Sequence, residues 1–187
     1  MNQKFILKYL KLFSIGFIVV SFIEFIDIIL LSIVIKMEIN GDNLPLIEIF
    51  FNTGLLPIHG SFLWVFLIII PCVFVAFGFI LFRSARKDRH DINTLSKFIL
   101  VIGLFLLLGS FIKISYMILL ANTKLNLGSS IEFQQALYNP LITSFGGGAM
   151  WIFLYAVGFS YLISGLIFGG VGLKWILILE KENQIEP

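Results

Sequence analysis

Very little in this chain invites chemistry. It has one cysteine, two histidines and five prolines in 187 residues, and only 13% of them are charged. A single cysteine, Cys72, excludes an intrachain disulfide, and its place inside an apolar run is that of a small buried hydrophobe. Neither His59 nor His90 has a cysteine or histidine at ligand spacing, so no metal site is expected. The formal charge of +2 is too small to suggest nucleic acid as a partner. Gly146-Gly147-Gly148 is not followed by the Lys-Ser/Thr of a phosphate-binding loop and reads as a flexible lead-in to a helix. No nucleophile elbow, dinucleotide fingerprint or carboxylate pair with a histidine base is present, so neither an enzyme nor a cofactor is expected.

What the chain has instead is apolar length. Hydrophobic residues make up 59% of it, 21 are phenylalanine, and the mean hydropathy is +1.02. Soluble domains carry roughly 45–50% apolar and about 25% charged residues, so a single membrane domain is the expectation. Four segments, about 12–35, 62–82, 98–121 and 149–179, meet the length of about 20 residues that a hydrocarbon core requires. The first is too long for the apolar region of a cleaved signal and has no small-residue cleavage site after it, so it reads as a retained span. Pro71 is expected to kink the second. The fold class is therefore all-α, a polytopic protein with four transmembrane helices.

Positive charge sets the orientation. Lys4, Lys8, Lys11, Arg83, Arg86, Lys87, Arg89, Lys97, Lys174 and Lys181 fall on one side, against only Lys36 and Lys124 on the other. The positive-inside rule then puts both termini and a connecting loop, 83–97, in the cytoplasm. The two external connectors, 36–61 and 122–148, carry apolar stretches such as Ile47 to Phe51 and are expected to lie in the interface as short amphipathic pieces.

The halves look related. Residues 21–31 (SFIEFIDIILL) and 110–120 (SFIKISYMILL) share six identities in eleven. Later pairs follow at other offsets: Lys36 with Lys124, Ile47-Glu48 with Ile131-Glu132, and Trp64 with Trp151. Either shared apolar composition or a tandem repeat of two helix pairs explains this. A true repeat would relate two parallel units by an axis along the membrane normal.

Three charges lie deep in the spans. Glu24 and Asp27 share one face of the first, and Lys113 lies in the third at comparable depth, since Asp27 and Lys113 each follow a flanking lysine by sixteen residues. Insertion scales put each such charge at roughly 2.5–3.5 kcal/mol mid-membrane, so partners are expected. A salt bridge fixing the first span against the third is one reading. A proton, ion or ligand site is the second, and pairing with another subunit the third. In the last span Gly158, Gly165 and Gly172 recur every seven residues, with Gly169 completing Gly165-xxx-Gly169, a small-residue stripe for close helix packing. That packing could serve the chain itself, a homodimer or a membrane-protein partner.

From Asp91 onward the chain resembles a family of small four-helix bacterial inner-membrane proteins of unknown function. The resemblance is carried by Asn93 and Leu95 leading into Ile102-Gly103, and by the tail from Leu179 to Ile185, with weaker agreement around Glu24. Ile176, Gln184 and Glu186 depart from the family pattern. The resemblance implies a bacterial inner-membrane location and supplies no activity.

Overall fold

The computed structural model describes residues 3–39, 41–86, 92–126 and 130–185. Ten elements follow in order: α1 (Gln3–Val34), β1 (Lys36–Ile39), β2 (Asp42–Pro45), α2 (Leu46–Phe51), α3 (Ile58–Ala85), α4 (Ile92–Ala121), β3 (Lys124–Asn126), β4 (Ser130–Glu132), α5 (Phe133–Tyr138) and α6 (Gly147–Ile185). Four helices, α1, α3, α4 and α6, are long and apolar enough to cross a membrane, so the chain is an integral membrane protein of the all-α class. They extend beyond the apolar segments themselves, because a helix does not end where hydrophobicity does. α4 already includes Lys97, so most of the expected loop 83–97 is helical and only 87–91 lie outside the described residues. His90, Lys87, Arg89 and Glu186 fall there or at the undescribed end, as do the side chains of Lys4 and Gln184. α3 continues through Pro71. Cys72 is exposed on the outside of α3 rather than buried.

Each spanning helix buries a seven-residue repeat. On α1 the buried positions run Leu7, Leu10, Ser14, Phe17, Ser21, Glu24, Ile28 and Leu31; on α3 they run Gly60, Trp64, Leu67, Pro71, Phe74, Gly78, Leu81 and Ala85. Alternating steps of three and four keep one stripe facing inward over the whole span, the pattern of knobs-into-holes bundles. α1 packs mainly on α3 and α4 on α6, and the α3–α4 and α1–α6 contacts close the ring.

The connectors 36–61 and 122–148 hold short helices, as expected, and add strands that the sequence did not announce. Each is a β-hairpin followed by a six-residue helix: β1 pairs antiparallel with β2, and β3 with β4. Gly41, at φ +88, supplies the left-handed residue of the first hairpin turn. The two arms interlock. Glu38 N donates to Ile142 O (2.7 Å) and Ser144 N to Lys36 O (2.9 Å), while Asn126 N donates to Leu55 O (2.9 Å). A row of rings binds the cap from one arm to the other: Trp64 stacks on Phe50 at 4.1 Å, Phe50 meets Phe133 at 5.2 Å, and Phe133 meets Trp151 at 5.4 Å.

The order helix, hairpin, short helix, long helix occurs twice, so the tandem repeat is a property of the fold. The sequence offset drifts from 89 to 87 as loops shorten, which is why no single alignment of the halves works. Asn52 closes the first short helix by accepting from Gly54 N at 2.9 Å, and Asn139 closes the second by accepting from Leu141 N at 3.0 Å. A Cβ on Gly78 would strike Ile18; one on its equivalent, Gly165, would lie 2.8 Å from the backbone nitrogen of Leu107, the equivalent of Ile18. Both hairpins stand at the same end of the bundle, opposite the chain termini.

Candidate functional site: a charged layer between two cores

Two apolar cores fill the bundle. One, at the hairpin end, is built around Ile28, Leu67, Met117 and Leu154; the other, toward the termini, around Phe17, Phe74, Leu106 and Tyr161. Between them lies a polar layer to which all four spanning helices contribute. α1 supplies Ser21 and Glu24, and α4 supplies Ser110 and Lys113. α3 supplies Pro71, and α6 supplies Gly158. By the repeat, Glu24 is the counterpart of Lys113, Ser21 of Ser110, and Pro71 of Gly158.

Lys113 Nζ lies 2.7 Å from Glu24 Oε1, with both side chains almost wholly buried at 1% and 0% exposure. The helices that carry them are not the intimate neighbours that a direct contact of the first span with the third requires. α1 and α4 are not among the extensively packed helix pairs, and the bridge crosses the bundle between the equivalent positions of the two repeats. Long side chains make this reach feasible, and Gly158 gives it room. A Cβ there would already sit 3.6 Å from Lys113 Cδ. At that distance the contact is a close approach of opposite charges.

Tyr161 completes the layer. Its hydroxyl is 2.8 Å from Ser21 Oγ and stands beside the Glu24 carboxylate, and its ring centroid is 5.6 Å from Lys113 Nζ. Ser21 also donates to Phe17 O at 2.8 Å. Neither residue stands out in the sequence; the available signal was spacing, with Ser21 three before Glu24 and Tyr161 three after Gly158. Asp27 is placed differently. It is only half-buried, one turn nearer the hairpin end, and it makes no ion pair within 4.0 Å among the described residues. Its Oδ2 is buried without a hydrogen-bond partner. The structure thus joins two of the three sequence-selected charges and leaves the third beside them.

The glycine stripe of α6 lies against α4. A Cβ on Gly172 would stand 2.5 Å from Leu100 N, and α6 crosses Gly103 at Gly169, where a Cβ on Gly103 would overlap the Gly169 backbone. Gly158 faces Ile114 and Lys113. This face is occupied within the chain by α4. Among the described residues no group of three or more His, Cys, Asp or Glu side chains is placed to hold a metal ion.

Comparison with protein-family models, with curated proteins and with solved structures finds no match to this chain.

Proposed function

We propose that this is a non-enzymatic protein of the bacterial inner membrane, an accessory or regulatory subunit that acts through packing of its helices against a membrane-protein partner. The termini face the cytoplasm and the interlocked hairpins face outward, in keeping with ten Lys and Arg on one side against two on the other. The observation that carries this reading is the Glu24–Lys113 pair. Charge is met by charge inside a packed layer, with apolar cores above and below it. A translocation site needs a bound ion or proton to be matched by a route to both sides, whereas a closed pair fixes the bundle. Purification from native membranes in mild detergent, after cross-linking, tests the role. A membrane protein recovered in fixed stoichiometry supports it; a chain that purifies alone under every such condition contradicts it.

Asp27 favours a second reading, a small transporter or ion-conducting protein. An acid at membrane depth, half-exposed and without an ion-pair partner, could take up and release a proton or cation beside the bridged pair. Dependence of flux on Asp27 in proteoliposomes separates this reading from the first.

A further inference from the structure

A cleft of about 750 Å³ opens on the flank of the bundle at its hairpin end, between the start of α3 and the end of α4. Its walls are Phe62, Phe66, Tyr116 and Leu119, with Phe66 and Tyr116 in ring contact at 5.4 Å. Phe62 and Leu119 are largely exposed, so the cleft faces the hydrocarbon rather than the bundle interior. Its rim is polar and basic, formed by His59, Asn122 and Lys124. Glu132 is the register partner of Lys124 across the hairpin, yet the two make no ion pair within 4.0 Å. Apolar walls under a cationic, hydrogen-bonding rim match an amphiphile lying along the membrane, head outward.

The repeat supplies an internal control. Carried to the other half, the same positions hold Gly146 for His59, Ala149 for Phe62 and Asp27 for Tyr116, and Val34 falls where Asn122 stands. The lysine survives as Lys36, and Phe153 and Leu30 stand where Phe66 and Leu119 do. One flank therefore carries both an aromatic wall and polar donors, while its counterpart has lost the imidazole, the amide and two of the three aromatic rings and has gained an acid. Packing demands shared by the two halves do not explain a difference confined to an outward-facing cleft.

We propose that the cleft between α3 and α4 is a binding site for an anionic phospholipid of the hairpin-side leaflet. The phosphate sits at Lys124, His59 and Asn122, and the upper acyl chain lies on Phe62, Phe66 and Leu119. The wider electrostatic field of the protein adds little on this side, since Lys36 and Lys124 are its only lysines and it has no arginine.

The full-length protein, purified in mild detergent, is exposed to equal amounts of phosphatidylglycerol and phosphatidylcholine of matched acyl chains, and retained lipid is counted by native mass spectrometry. Wild type should retain one phosphatidylglycerol in preference to phosphatidylcholine. Lys124→Gln should reduce that preference about fivefold, the effect of one cation near a membrane surface. Asn122→Asp, which brings a negative charge to the same rim without touching Lys124, should do the same. Lys36→Gln, at the equivalent place on the other flank, should leave it unchanged. Equal retention of both lipids by wild type, or equal losses in Lys36→Gln and Lys124→Gln, would overturn the proposal.

Discussion

Removing one member of the Glu24–Lys113 pair should damage the protein more than removing both. At 2.7 Å and an effective dielectric of about 20, the attraction is roughly 6 kcal/mol before desolvation is subtracted. Most of that is consumed by taking both ions out of water, so the net worth of the intact pair is small. A lone survivor has no such compensation, and breaking a buried pair costs about 3–5 kcal/mol. Lys113→Met and Glu24→Gln should each lose stability of that order. The double variant should recover to within about 1–2 kcal/mol of wild type, a coupling of about 3 kcal/mol or more. Because the two positions are equivalents in the repeat, the exchanged pair Glu24→Lys with Lys113→Glu should likewise exceed either single reversal in stability. Unfolding in mixed micelles of mild detergent and dodecyl sulfate, followed by far-ultraviolet circular dichroism, measures all of these. The Asp27–Lys113 cycle is the control, with a coupling smaller than that of Glu24 with Lys113 because Asp27 lies beyond ion-pair distance of the ammonium. Additivity within about 0.5 kcal/mol for Glu24 and Lys113 would refute the reasoning.

Gly165→Ala should cost about 1–3 kcal/mol through overpacking against Leu107, whereas Gly170→Ala, with nothing within 4 Å of its added carbon, should be neutral or slightly stabilising in the same unfolding assay. Single cysteines at Ser84 and Asn43, in a Cys72→Ser background, should react with impermeant maleimide from opposite sides of the membrane. Labelling of both from one side would contradict the four-span topology.

The four spans were legible because lipid imposes length and apolarity directly on sequence, and the pairing need of Lys113 followed from the same physics. The hairpins were not. β1 and β2 are four residues each and β3 and β4 three, too short for an alternating pattern to rise above a background rich in Ile and Leu. A turn at Gly41 alone says nothing of a cap, which exists only because each arm pairs with the opposite half. The repeat was half-visible: identities clustered around Glu24 and Lys113 at offset 89, then slipped to 87 past the shorter second hairpin. The glycine stripe announced close packing without a partner, and α4 is that partner. Tyr161 stayed hidden because an isolated tyrosine among 29 aromatic residues carries no pattern until the bundle folds.

Whether the charged layer only holds the bundle together is tested most directly by flux. Purified protein reconstituted in liposomes containing a pH-sensitive dye, under an imposed proton gradient and then under sodium and potassium gradients, should be no leakier than empty liposomes. The folded Glu24→Gln, Lys113→Met double variant should behave identically. Gradient-driven flux through wild type that disappears in that double variant, or in Asp27→Asn, would contradict a structural role for the layer and establish a transport pathway through it.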